Sequence, residues 1–463
     1  MSSSLSAPDV ASIAAEYATT ASLDDVPEEV RERIPLVLLD TIGVCIRGSE
    51  TDYVERIADD MSALGRGPTS SGGATVFATD DRRDVSQAAL LNAAAGTTLE
   101  LDEGNQQSAH PGIHTVVPAL SAAEHLDATG AELLDAILVG YEVGARLGDL
   151  IRPMKSGLHP HGGWAAVSGA VTTGRLRGFD SETMAHAIRN AVNPFLVGHW
   201  QAAFDGATIR DFYTGLSCQH GILAASLAGQ GVTGVVGAIE ECLLPYTAAD
   251  AVSAELLAPF ETFDETYYLT SSYMKVHAAC RYTHAPIEAL AEIQAEREID
   301  PDNVARIEVR TFELGTTLDR TDPENVLSAK FSTPFVLSTR LHTGRSDVEA
   351  FTPALVGNES IQSLADRVEL VADETFEARA NDGKWGAAVT IEMIDGTTYT
   401  ITKEDARGGG DTPFTHEEIF EKFESLVGSR LSADATAELR KRILDVDSVE
   451  SIESVLEPVL NDD

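Results

Sequence analysis

The stretch Leu99-Glu-Leu-Asp-Glu-Gly-Asn-Gln-Gln-Ser-Ala-His-Pro-Gly-Ile-His114 sets five ionisable side chains between two alanine-rich apolar segments. On either side, Val85 to Leu99 and Val117 to His125 carry apolar residues at three- and four-residue spacings, the pattern of buried helices. Burying Glu100, Asp102, Glu103, His110 and His114 together is costly unless each is paired or solvated. The stretch is therefore either the wall of a pocket or an ordinary solvated loop.

Working outward, Arg31 to Gly48, Ala131 to Leu150, Gly163 to Leu176 and Gln219 to Gly229 repeat the helical spacing with abundant Ala and Gly. Small residues let helices approach closely, which points to an all-helical domain over residues 1–275. Beyond 276 the texture changes to alternation in Ala305 to Phe312, Val368 to Val371, Ala388 to Met393 and Thr398 to Ile401. The last two flank Asp395-Gly396, a hairpin signal. The expected fold is mainly α: a large all-helical domain (1–275), a smaller α+β lid domain (276–405), and C-terminal helices (406–463) that return to the first domain. Those helices open on the capping-box pattern Thr415-His-Glu-Glu418.

The 463 residues hold 74 acidic against 33 basic side chains, a formal net charge of −41, and only 7 of the basic residues are Lys. Acid excess with lysine depletion is the signature of a halophilic surface, where carboxylates keep a protein hydrated. It argues against nucleic acid or anionic membranes as partners, since phosphate contact needs basic surface. Cys45, Cys218, Cys242 and Cys280 are widely spaced, as reduced core thiols are, and lack the spacing of a disulfide framework or an iron–sulfur site. No signal-peptide pattern and no run of ~20 apolar residues occurs, so a cytoplasmic protein without membrane insertion is expected.

Three further places concentrate chemistry. Leu158-His-Pro-His-Gly-Gly-Trp164 sets His159 and His161 before a helix start, where amides near Gly162 suit a carboxylate. Thr208 to Tyr213 offers Arg210, and Tyr273 to His284 carries Lys275, His277, Arg281 and His284 at the domain boundary, where clefts form. Each has a plain alternative: a turn histidine, a surface ion pair, a solvated linker face. His110 and His114 have the spacing of a helical zinc pair, but Pro111 and Gly112 are expected to break that helix. With no third close ligand in the sequence, no metal is expected. Gly229-Gln-Gly-Val-Thr-Gly234 follows a helix where a nucleotide-binding strand is required, and reads as a helix end. Neither a G-x-S-x-G elbow nor a P-loop occurs.

The order and spacing of several segments resemble the MmgE/PrpD superfamily over nearly the whole chain. They are Leu39-Asp-Thr-Ile-Gly43, His110-Pro, Pro118-Ala, Ala123-Glu124, Gly140-Tyr-Glu142 with Arg146, His159-Pro, the His220-Gly to Gly231 helix, Lys275 to His284, Lys330-Phe-Ser332 and Thr415 to Phe423. Members include 2-methylcitrate dehydratase, cis-aconitate decarboxylase and iminodisuccinate epimerase. The resemblance implies a helical domain assembled from both chain ends, a small lid, a homodimer, and a cofactor-free site between the domains. It places functional residues at Glu100, Gly104, His110, His159, Arg210 and His284, with Lys275 entering from the lid segment. Glu100 stands where decarboxylase-like members have Asp, Gly104 where they have Thr, and Arg210 where they have Lys.

These residues suggest a mechanism. Arg210, Lys275 and the turn at His161 and Gly162 would hold substrate carboxylates, with Gly104 making room. Glu100, His110 or His159 would abstract a proton α to a carboxylate, and His284 would protonate a leaving hydroxyl. The expected function is a cofactor-free hydro-lyase acting on a hydroxy polycarboxylate, a di- or tricarboxylate such as 2-methylcitrate. Alternatives are an epimerase or decarboxylase of a related acid, or a non-catalytic carboxylate-binding homologue.

Overall fold

A computed structural model describes residues 9–69, 72–107, 110–152, 154, 157–194, 197–243, 245, 257–410 and 412–460. Among the described residues the longer helices of the first part of the chain are α1 (Val10–Thr20), α2 (Glu28–Gly48), α3 (Asp52–Ala63), α4 (Val85–Thr98), α5 (Pro111–Leu126), α6 (Gly130–Leu150), α7 (Ala166–Leu176), α8 (Ser181–Val192) and α9 (Ile209–Ala228). Their apolar stripes close two cores, one around Ile34, Leu38, Ile113 and Ile137, the other around Val143, Trp164, Val167 and Ile188. The small residues act as expected. A Cβ at Gly221 of α9 would come within 2.4 Å of the Ala166 carbonyl, so α7 and α9 approach to backbone contact only because Gly stands there.

Two small ribbons interrupt the helices. Strand β1 (Ala74–Val76) pairs antiparallel with β2 (Asp81–Arg83), and β3 (Gly104–Asn105) pairs with the distant β4 (Ser272–Tyr273). The second ribbon ties the polar stretch to the segment leading out of the helical domain. That segment is pinned to α6 by a buried pair, Glu142 with Arg146. The Glu142 carboxylate accepts the amides of Tyr268 (3.0 Å) and Leu269 (2.9 Å), while Arg146 donates to the carbonyls of Pro259 and Thr266. Every charge in this pair is also hydrogen-bonded, the condition under which burial is tolerated.

The second part holds a four-stranded sheet in the order β6-β5-β7-β8, formed by β5 (Val304–Thr311), β6 (Val368–Ala372), β7 (Ala387–Met393) and β8 (Thr398–Lys403). Strands β5 and β6 run parallel; the other pairs are antiparallel, with the Asp395-Gly396 turn joining β7 to β8. Helix α10 (His284–Glu296) covers the face carrying Val304, Ile307, Val309, Val389 and Ile391. The alternation read from the sequence is thus a half-buried sheet under helices, and the fold is mainly α with a smaller sheet-containing domain.

The chain then returns. Helices α11 (His416–Val427), α12 (Ala433–Leu444) and α13 (Glu453–Leu460) place Ile419, Phe423, Leu439, Ile443 and Leu456 in the first core beside Ile34 and Leu38. Lys422 of α11 reaches the polar stretch itself, donating to Asp40 of α2 (2.5 Å) and to the Leu101 carbonyl (2.8 Å). Among the described residues no helix is long and apolar enough to cross a membrane.

Candidate active site

Helix α4 ends at Thr98, and the chain turns through Glu100 at φ +56°, a left-handed conformation that glycine adopts at least cost. A carboxylate there is explained by its partners. Glu100 is buried against Arg210, and Lys275 Nζ lies 3.5 Å from its other oxygen and 3.4 Å from Asp102 Oδ1. Arg210 stands in the first turn of α9, donates to the Thr97 carbonyl at 3.1 Å, and also pairs with Asp211. Burial alone would lower the pKa of Arg210 and of Lys275; the carboxylates of Glu100, Asp211 and Asp102 outweigh it and raise both, so both cations are permanent.

Histidines form the other half of the cluster. His110 Nδ1 lies 2.9 Å from Asp102 Oδ2 and 2.9 Å from the Glu103 carbonyl, so two acceptors face that nitrogen and it carries the proton. Burial would raise Asp102, but His110 and Lys275 hold it well below the usual carboxylate range. The His161 ring sits 4.6 Å from that of His110, 5.0 Å from His159 and 5.2 Å from His114, with His161 Nδ1 and His114 Nε2 3.0 Å apart. Burial pushes His159 and His161 well below the ordinary histidine range, aided by Arg210 for the first and His110 for the second; His114 falls to about 3. Among the described residues, only His110 of these four rings meets a carboxylate. Trp200 and Tyr213 wall off His159, at ring separations of 5.0 and 5.7 Å.

One expectation from the sequence is corrected here. Pro111 and Gly112 do not break the helix: they start it, with Pro111 at the first position and His110 as the N-cap residue. Proline is preorganised for that position, where its missing N–H would have had no helical partner. Gly112 is there for space, because its amide donates to Glu103 Oε2 at 2.8 Å and a Cβ would stand 2.4 Å from that oxygen. Burial pushes Glu103 up to about 8, although Tyr141 and Gly112 both donate to it and oppose the rise.

The fold brings together a different set from the His110 and His114 pair: donor atoms of Asp102, His110 and His161 lie within 4.8 Å of one another. The set fits a cation poorly. His110 Nδ1 is committed as a donor and the second Asp102 oxygen faces the Lys275 ammonium, so the arrangement suits proton transfer better.

Glu100, His110, His159, His161, Arg210 and Lys275 therefore converge. Gly162 adjoins them as the cap of a single 3-10 turn leading into α7. His284 has different neighbours: its Nε2 lies 3.3 Å from the Ala279 carbonyl and its ring 4.9 Å from His277. Gly104 does not make room, because a Cβ on it would lie 2.3 Å from the Tyr273 ring and hydroxyl. Asp102, His114 and Lys330 stand out in the sequence without a site role assigned to them; Lys330 is buried and donates to the Thr98 carbonyl at 2.7 Å from the second domain. Burial lowers Lys330 to about 8. Its signal was scarcity: a chain with 7 lysines keeps two of them, Lys275 and Lys330, buried beside this loop.

A helical domain closed by both chain ends, a small sheet domain, and a buried histidine and cation cluster at their junction define the class of protein. The chain belongs to the MmgE/PrpD family: the MmgE/PrpD N-terminal domain matches residues 12–243 and the C-terminal domain residues 277–452. It is similar to the cis-aconitate decarboxylase of Aspergillus terreus, 24% identical over 471 residues that span 95% of this chain and 94% of the relative. It is also similar to the cis-aconitate decarboxylase of Homo sapiens, 26% identical over 456 residues, 94% of this chain and 90% of the relative.

Proposed function

We propose that this chain is a lyase that removes carbon dioxide from a small unsaturated tricarboxylate of the cis-aconitate type. The observation that carries the reading is His110 held against Asp102 in the same buried cluster as Arg210 and Lys275. Similarity to cis-aconitate decarboxylases over nearly the full length favours decarboxylation over the dehydration expected from the sequence. In the proposed reaction, Arg210 and Lys275 exchange their internal carboxylate partners for substrate carboxylates. The bond to the departing carboxylate breaks and its electron pair passes into an anion delocalised over the double bond and a retained carboxylate. His110 delivers a proton to carbon and regains it from solvent, while the Arg210 charge stabilises the developing anion.

Decarboxylation needs one proton donor, whereas dehydration needs a base and an acid on opposite faces. His284, the expected acid for a leaving hydroxyl, has its Nε2 at the Ala279 carbonyl and its ring against His277, which favours the one-donor reaction, although burial lowers its pKa and the Lys275 charge of the site is near enough to add to that. The homodimer implied by the resemblance and the cytoplasmic setting expected from the sequence pattern are kept as part of the proposal, the first checked by sedimentation. Incubation with cis-aconitate, 2-methylcitrate, citrate and iminodisuccinate, read by mass spectrometry, tests the reaction. Carbon dioxide loss from cis-aconitate is expected. Water loss from 2-methylcitrate alone would make the chain a hydro-lyase. Thermal stabilisation without turnover would make it a binding homologue, and neither effect would end the polycarboxylate reading.

A further inference from the structure

We infer that the phenol of Tyr273 is a substrate-facing hydrogen-bonding group of the candidate site, set in the space that Gly104 leaves open; the inference rests on reading the histidine and cation cluster as a substrate site. Gly104 and Tyr273 are direct cross-strand partners in the β3–β4 ribbon. A Cβ at position 104 would lie 2.3 Å from both Cζ and the hydroxyl oxygen of Tyr273, so the phenol end of the ring fills the volume of the missing side chain.

The segment alternates in a way that aims this ring. Met274 enters the first hydrophobic core, whereas Lys275, two residues beyond Tyr273, carries its ammonium to Glu100 and Asp102. Tyr273, packed on Gly104, and Lys275, paired with Glu100 and Asp102, therefore both meet the loop carrying those three residues. The ring is fixed from behind. The Arg281 guanidinium lies 4.4 Å from its centroid and is itself anchored on the carbonyls of Ala406 and Arg407, both at 2.7 Å. The Trp385 ring meets it edge-on at 5.7 Å.

Two other tyrosines spend their hydroxyls on protein carboxylates, Tyr141 on Glu103 at 2.5 Å and Tyr268 on Asp149 at 2.7 Å, whereas Tyr282, beside the same Trp385 ring, makes no such bond among the described residues. The Tyr273 hydroxyl has no hydrogen-bond partner among the described residues although the residue is 3% exposed. A hydroxyl on a fixed, largely buried ring, unspent on protein and two residues from a site lysine, suits a carboxylate-binding pocket. The competing explanation is that the ring only covers a glycine across a ribbon, a packing device that needs no hydroxyl.

Tyr273→Phe separates the two, since it keeps the ring and removes the oxygen. Binding of cis-aconitate and of citrate to the wild type and to Tyr273→Phe is measured by calorimetry, with turnover of cis-aconitate alongside. Loss of a hydrogen bond to a charged group predicts a Kd or KM raised about 10- to 100-fold, with a Tm within about 2 °C of wild type. Unchanged binding and turnover would overturn the inference. If the wild type binds neither acid, the polycarboxylate reading fails, and the phenol is then judged on crystals of the ligand-free protein. An ordered water on the Tyr273 hydroxyl, shared with the Lys275 side of the site, supports a ligand-facing donor; a hydroxyl capped by protein atoms overturns it.

Discussion

The Nε–H of Arg210 faces Nε2 of His159 at 3.3 Å and the main-chain N–H of His161 faces Nδ1 of the same ring at 3.2 Å, so the neutral ring accepts from one or the other according to its tautomer. Both ring nitrogens therefore face donors, and a protonated His159 would set N–H against N–H on both sides. Burial and the Arg210 charge act in the same direction. His159 is therefore expected to remain neutral at pH values where an ordinary histidine, with a value of about 6.5, is already protonated. Nitrogen NMR of ring-labelled protein checks this, and titration of His159 near 6.5 would refute the geometry.

Acid stability follows from the same burial. His114 is pushed from about 6.5 in an unfolded chain to about 3 in the fold, by burial first and His110 second. Between those values the unfolded chain binds the proton and the folded one does not. The stability tied to neutral His114 is therefore complete above about 6.5 and drains away as pH falls toward 3. Urea midpoints measured from pH 7 to 4 are expected to fall less steeply in His114→Gln than in wild type; parallel slopes would sink the assignment.

Gly104→Ala tests the shared volume directly. The new Cβ meets the fixed Tyr273 ring at 2.3 Å, and Arg281 and Trp385 leave that ring little freedom to retreat. A loss of about 1–3 kcal/mol is expected, the usual cost of overpacking. Adding Tyr273→Ala should recover part of it in a double-mutant cycle, whereas additive effects would mean the two positions do not share space.

These residues also show how much could be read beforehand. The helical domain, the Asp395-Gly396 hairpin and the return of the C-terminal helices were legible because each has a local signature: a 3.6-residue stripe, a turn dipeptide, a capping box. Glu100, His110, His159, Arg210 and Lys275 were legible as polar groups in apolar surroundings, with the family resemblance supplying their order. The pairing of β3 with β4 was not, because two-residue strands separated by more than 160 positions leave no periodicity to read. With that pairing went the role of Tyr273 and the fate of Gly104. The start of α5 was misjudged because proline reads as a breaker until its neighbour is known to be the N-cap.

Glu100→Gln removes the anion that Arg210 and Lys275 share, leaving two buried cations to the remaining carboxylates. Breaking a buried pair in this way costs about 3–5 kcal/mol, so a large fall in the urea midpoint is expected. Glu100→Asp keeps the charge on a shorter arm and should lose less. Equal stability of all three proteins would show that the pairing carries no net stabilisation.

Salt dependence tests how the whole surface bears on the proposed substrate. A tricarboxylate approaching a chain of net charge −41 meets repulsion that the cations of the site offset only at close range. The screening length is about 10 Å at 0.1 M salt and about 3 Å at 1 M, so added KCl removes the long-range repulsion first. Contacts with Arg210 and Lys275, both buried, are screened far less. KM for cis-aconitate is therefore expected to fall as KCl rises from 0.1 to about 2 M, with kcat changing less, and the fall should be smaller for a substrate with fewer charges. Parallel thermal scans separate this effect from stabilisation of the fold. A KM that rises with salt would mean that the local cations, and not the acidic surface, govern encounter.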